Sequence, residues 1–251
     1  MIVRRRGEAS THWVVGALVA VGLLVTAPSR PAQGRPGRST SIAAARALPL
    51  GSRVTIEGTV STPSGAFASS FFDEGFGMQD DGAGIYVSLQ TDVQVGPGDR
   101  VRVTGVLADS YGLLVLLPGA AGDVERCGHQ RPPEARRVAT GAVGEATEGL
   151  LVTVRGTITR APAADDDFGF KLFVDDGSGE LQIFVNVQTG IDVTPLAVGQ
   201  AVRITGFSSQ FDVEYEIDPR FPRDVISLET DERGCAGTGP AQGLSTLLSI
   251  Q

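Results

Sequence analysis

The 251-residue chain is poor in the groups that titrate or attack near neutral pH, with two histidines, two cysteines and a single lysine, Lys171. His12 falls in the leader described below, which leaves His129 in a proline-rich connector with no partner evident from the sequence. Nucleophilic catalysis of the Ser-His-Asp or Cys-His kind needs a base positioned by the fold. His129 is therefore read as a solvated connector residue, and no catalytic residue is expected. Phosphate-loop, dinucleotide and Cys/His zinc motifs are missing as well, so neither cofactor nor metal is expected. Asp165, Asp166, Asp167, Asp175 and Asp176 gather oxygen ligands, but their spacing matches no EF-hand, and solvated turn residues are the plainer reading. Aromatic residues make up 6% of the chain against 33 glycines and 14 prolines. That balance points to a folded chain with many turns rather than a helical bundle, and an all-β fold is the first expectation.

No apolar run is long enough for a comfortable membrane span. Arg4, Arg5 and Arg6 precede an uncharged stretch over residues 13–27, the pattern of a secretory signal. Small residues ending at Ala27 or at Gly34 both suit cleavage, and an uncleaved anchor is the competing view. Removing residues 1–34 takes out Arg4, Arg5, Arg6 and Arg30 but only Glu8, which carries the net charge from −8 to −11. Such a charge opposes long-range attraction to nucleic acid, although a local basic stripe can still bind it. Export to the periplasm or the medium would place Cys127 and Cys235 in an oxidising compartment. Each lies just beyond the last strand of a repeat, and a bridge between them would stabilise the fold by about 4 to 5 kcal/mol if unstrained. The alternative is two unrelated small residues.

What the sequence has in abundance is self-similarity. Val54-Thr-Ile-Glu-Gly-Thr-Val60 returns as Val152-Thr-Val-Arg-Gly-Thr-Ile158. Asp80-Asp81-Gly82-Ala83-Gly84 then matches Asp175-Asp176-Gly177-Ser178-Gly179, Ile85-Tyr86-Val87 matches Ile183-Phe184-Val185, and Val101-Arg-Val-Thr-Gly105 matches Val202-Arg-Ile-Thr-Gly206. In the first copy, period-two alternation predicts five strands, over residues 53–60, 76–80, 84–89, 100–107 and 113–117. Glycines inside the first and fourth strands allow the bends by which one strand serves both sides of a small barrel. The expected organisation is a leader over 1–34, a linker over 35–47, a first domain over 48–128, a connector over 129–147, a second domain over 148–235 and a tail over 236–251.

Val54 to Val60, Met78 to Gly84 and Gly98 to Gly105, with their counterparts in the second copy, resemble the motifs of OB-fold domains of the anticodon-binding and helicase-associated type. The likeness covers about 180 residues and extends to the OB modules found beside exported bacterial endonuclease/exonuclease/phosphatase nucleases. It implies two tandem five-stranded Greek-key barrels and a nucleic-acid ligand. No nuclease domain is expected among these residues, so nuclease activity is not carried over from the resemblance. OB barrels present strands two and three, flanked by the loops joining strands one to two and four to five. Alternation puts Tyr86 and Phe184 outward on strand three, Arg102 and Arg203 outward on strand four, and Lys171 outward on strand two of the second copy. The rings would stack on bases and the cations would contact phosphate. The competing reading has Tyr86 or Phe184 packing against the other barrel, Arg102 paired with Glu57, and Arg203 neutralised by Glu214 or Glu216. Loop aromatics Phe67, Phe71, Phe72, Tyr111, Phe168, Phe211 and Tyr215 carry the same two readings. The function expected is an exported, non-catalytic, weak single-stranded nucleic-acid binder. Its alternative is an extracytoplasmic protein-interaction or envelope scaffold module.

Overall fold

A computed structural model describes residues 39–67 and 72–228. The expected leader, Phe71, Cys235 and the tail lie outside the described residues. Among the described residues no helix is long and apolar enough to cross a membrane. The strands fall into two sheets. The first holds β1 (Arg53–Val60), β2 (Phe76–Gln79), β3 (Gly84–Val87), β4 (Asp99–Ser110), β5 (Leu113–Pro118) and β6 (Val124–His129). The second holds β7 (Arg136–Arg137), β8 (Leu151–Asp165), β9 (Gly169–Asp175), β10 (Leu181–Asn186), β11 (Ala201–Phe211), β12 (Glu214–Asp218) and β13 (Val225–Ser227).

Each sheet closes on itself. In the first the order runs β1-β2-β3-β5-β4 and returns to β1, and in the second β8-β9-β10-β12-β11 returns to β8. Closure depends on the two long strands. β4 pairs with β1, β5 and β6 along its twelve residues, and β8 pairs with β11 over its first half and with β9 over its second. Third and fifth strands run parallel, β3 with β5 and β10 with β12, while the other ring neighbours are antiparallel. This five-stranded closed Greek-key ring is the OB fold.

Period-two burial fills the rings as the alternation predicts. Val54, Ile56, Ile85, Val87, Val101 and Val103 share one buried cluster, and Val152, Val154, Ile183, Val185, Val202 and Ile204 share another. Each such side chain contributes about 1.5–3 kcal/mol through removal from water. One short helix, α1 (Ile42–Arg46), is capped by the Ser41 hydroxyl, which accepts from the Ala44 amide, and drops Ile42 and Ala45 into the first core.

A third apolar cluster joins the rings: Phe67, Tyr86, Leu113 and Val115 from the first, and Phe207 of β11 from the second. The slot for Phe207 exists because Gly77, opposite Tyr86 on β2, has no side chain; a Cβ there would lie 2.8 Å from the Phe207 ring. Polar contacts seal the same joint. Arg220 donates to the Ser61 carbonyl at 2.6 Å while its guanidinium holds Asp224, and the Leu151 amide donates to Gln79 Oε1 at 2.9 Å. Backbones also touch, since a Cβ on Gly84 would sit 1.9 Å from the Gly149 carbonyl oxygen. No side chain fits at that crossing.

His129 departs from the expectation. It ends β6 rather than lying in a loose connector, and its Nδ1 is 3.1 Å from Asp99 Oδ1. The connector beyond it is pinned by hydrogen bonds from the Thr140 hydroxyl to Asp176 at 2.8 Å and from the Gly141 amide to Ser178 at 2.9 Å. Those hydroxyls, Ser178 first and Thr140 next, hold the Asp176 carboxyl down at about 2. Cys127 is exposed on β6, its Sγ 3.6 Å from the Glu125 carbonyl oxygen.

Candidate nucleic-acid interface

The face that an OB barrel offers to ligands is spent in one ring and open in the other. On the first ring, Tyr86 does leave the barrel interior as alternation predicts, yet it is 1% exposed. It meets Phe207 edge-on at 5.9 Å instead of solvent, and its hydroxyl lies 2.9 Å from both Asp73 Oδ1 and the Phe67 carbonyl. Asp73, itself buried, also accepts from the Ser88 hydroxyl. A ring locked this way cannot stack on a base, so the expectation that Tyr86 contacts ligand is corrected: the outward face of β2 and β3 serves as the joint.

The second ring carries different residues at the corresponding register. Where Tyr86 lies opposite Gly77, Phe184 lies opposite Lys171; where Gln79 lies opposite Gly84, Phe173 lies opposite Gln182. Phe184 and Phe173 are half-buried, each beside a cation. The Arg160 guanidinium stands 3.3 Å from the Phe173 ring centroid and the Lys171 ammonium 5.9 Å from that of Phe184. Both cations are already paired, Lys171 with Asp165 at 3.0 Å and Arg160 with Glu180, which also accepts from the Thr159 hydroxyl at 2.6 Å. Bonds from Arg160 and then Thr159 keep the Glu180 carboxyl below its ordinary value. The face thus offers two aromatic surfaces whose neighbouring charges largely cancel, which favours stacking over phosphate attraction.

Loops frame this face with more aromatics. Phe168, in the turn between β8 and β9, packs against Phe72 of the corresponding loop of the first ring at 6.1 Å; they are 50% and 72% exposed. Phe211, at the turn between β11 and β12, stacks on Tyr111 from the turn between β4 and β5 at 5.6 Å and 13°. A backbone bond from the Asp212 amide to the Tyr111 carbonyl ties these tips together. The two loop pairs therefore converge across the joint. Phe67 and Tyr215 differ, being buried in the joint and half-buried near Glu145 respectively.

Of the remaining expected contacts, Arg102 is taken by Glu57, 3.5 Å away across β1 and β4, as the competing reading holds. Arg203 lies on β11 opposite Arg155, far in register from Glu214 and Glu216. Phe173 and Arg160 are absent from the sequence reading. Phe173 was accessible to it, because it stands two positions beyond Lys171 and period-two alternation gives it the same face. Arg160 was not, since β8 shifts register between Ile158 and Arg160 and so breaks the alternation. Among the described residues no cluster of histidine, cysteine, aspartate or glutamate is arranged to hold a metal ion.

Beside the face, β12 buries two carboxylates. Glu216 accepts from Gln182 Nε2 at 2.5 Å, yet burial outweighs that bond and pushes its carboxyl up to about 7. Asp218 is raised too, by burial and by Glu216, and among the described residues its Oδ1 has no hydrogen-bond partner. Between about pH 4.5 and 7 the folded chain keeps a proton that the unfolded chain releases, so stability falls as pH rises through this window. Urea midpoints measured from pH 5 to pH 7 are expected to decline for the native sequence and to decline less for Glu216→Gln. A flat native profile would show that neither carboxyl is held neutral.

No protein-family model and no curated protein matches the chain. Among solved structures, the chain is similar to the Stn1–Ten1 complex of S. pombe at a TM-score of 0.28 and 21% identity, over 32% of this chain and 58% of that one. It is similar to a murine DNA-binding protein bound to double-stranded DNA at 0.36 and 13%, over 75% and 99% of the two chains. The p202 HIN1 domain in complex with a 12-mer duplex gives 0.36 and 9%, over 69% and 91%. Scores this low place no ligand on the present chain. What defines its class is the strand order itself, which makes it an OB-fold protein.

Proposed function

We propose that the chain is an exported, non-catalytic nucleic-acid-binding protein whose two rings are tandem copies of one OB unit, and that single-stranded nucleic acid lies across β9 and β10 of the second copy. The observation that carries this reading is the contrast between the copies. The first copy places Gly77, Gln79 and Tyr86 in the joint, whereas the second places Lys171, Phe173 and Phe184 on the equivalent face, with Phe168 and Phe211 on the flanking loops. Half-buried rings beside cations accept any base on a π-face, so sequence preference is expected to be weak. The leader over residues 1–34 and the pair Cys127 and Cys235 fit an extracytoplasmic location. A labelled single-stranded oligonucleotide titrated at about 50 mM salt tests the proposal, with micromolar binding and preference over duplex expected. An absence of binding at that salt would favour the second reading, docking of another extracytoplasmic protein. That reading draws on the net charge of −8 and on the exposed tip formed by Tyr111, Phe211 and Val213.

A further inference from the structure

The two rings differ in a second place, on the side formed by their first and fourth strands. In the first ring Arg102 lies between Glu57 of β1 and Glu125 of β6, and the ion pair with Glu57 closes at 3.5 Å. In the second ring the same register sets Arg203 between Arg155 of β8 and Ile226 of β13. One arginine between two carboxylates has become two arginines side by side. Arg137 joins them, since β7 runs parallel to β8 with Arg137 beside Thr153, two positions from Arg155 on the same face. Arg137 and Arg155 are exposed and Arg203 half-buried. Among the described residues none of the three has an ion-pair or hydrogen-bond partner. Among the described residues the carboxylate nearest by register on this face is Asp175, opposite Thr157, and its Oδ1 is occupied by the amides of Gly177 and Gly179.

Like charges directly opposite one another across an antiparallel pair destabilise the sheet. Among the described residues no carboxylate pairs with these arginines to offset the repulsion, in a chain whose net charge is −8. We propose that this arginine strip is an anion site, and that its ligand is the phosphodiester backbone of the same strand whose bases stack on Phe173 and Phe184. The inference rests on the proposed function and adds a path to it. β8 is continuous from Arg155 on the strip to Arg160 beside Phe173, a run of about 17 Å along the strand. A strand leaving the aromatic face along β8 reaches unpaired guanidinium groups suited to bidentate phosphate contact. Stacking and phosphate contact are thus divided between two sides of one barrel, the first served by charge-balanced rings and the second by unbalanced arginines.

Salt-dependent titration with oligonucleotides of about six and about twenty nucleotides separates the two sides, because a single OB barrel covers about 4–16 nucleotides. For the longer probe, Arg155→Gln/Arg203→Gln is expected to weaken binding about tenfold at low salt and to reduce the slope of log K against log[salt] by about 1.4, two phosphate contacts at about 0.7 each. The shorter probe should be held equally by variant and native chain. Arg155→Lys/Arg203→Lys should keep the slope. Arg155→Glu rebuilds the pairing of the first ring, and is expected to raise the melting temperature while lowering long-probe affinity. An unchanged slope with the longer probe, native binding intact, would overturn the strip and leave the aromatic face standing. If neither probe binds the native chain at any salt, the proposed function falls and the strip falls with it.

Discussion

Replacing Phe207 with alanine is expected to lower the unfolding free energy by about 3–5 kcal/mol, the cost of deleting a fully buried aromatic ring. Phe207 is 0% exposed and meets the rings of Phe67 at 5.8 Å and Tyr86 at 5.9 Å. Removing it forfeits both aromatic contacts, at about 0.5–1.5 kcal/mol each beyond burial, and opens a void between two barrels. The glycine that admits the ring, Gly77, offers no atoms to refill that space. The Tyr86 hydroxyl and Asp73 would then face a gap that invites water into the joint. Urea unfolding followed by two spectroscopic probes is the check. The variant is expected to lose midpoint and to unfold in two steps, as each ring keeps its own core but loses its neighbour. A single transition within 1 kcal/mol of the native value would mean that the polar contacts at Arg220 and Gln79 hold the joint without the aromatic cluster.

Much of the fold is legible in the residues because local pattern and global closure agree. Alternation in the segments from Val54, Ile85 and Val101 marks strands whose inward members form the first core, and the repeated glycines sit where neighbouring strands approach closely, a Cβ on Gly58 meeting the Gln79 carbonyl oxygen at 2.9 Å and one on Gly105 that of Leu117 at 2.7 Å. The site is only half legible. Alternation assigns Tyr86 and Phe184 the same outward direction, and both take it, but which of them meets solvent depends on the partner surface. Gly77 reads in isolation as a weak strand residue, and only docking of the second ring turns it into a socket. Arg102 and Arg203 also look equivalent in sequence, although their cross-strand neighbours, Glu57 and Arg155, were already in the repeat alignment. His129 belongs to β6 although composition places it in the connector, because the strand runs to within three residues of Pro132 and Pro133.

Substituting both Phe173 and Phe184 by alanine is expected to abolish measurable binding of a short single-stranded oligonucleotide. Stacking contributes about 1–3 kcal/mol per base, so each ring accounts for roughly a tenfold to hundredfold change and the pair for the two combined. Arg160 and Lys171 are expected to matter less, because Glu180 and Asp165 already balance their charge and exchanging one anion for another gains little. Folding should survive, since neither ring belongs to an apolar core cluster, whereas Leu172, Val174, Ile183 and Val185 around them do. The decisive measurement is therefore anisotropy titration of one labelled short oligonucleotide against the native chain, the Phe173→Ala/Phe184→Ala chain and a Tyr86→Phe control. The proposed account predicts loss in the double variant and native affinity in the control, whose ring lies in the joint. Equal binding by the native and double-variant chains, or selective loss in Tyr86→Phe, would contradict it.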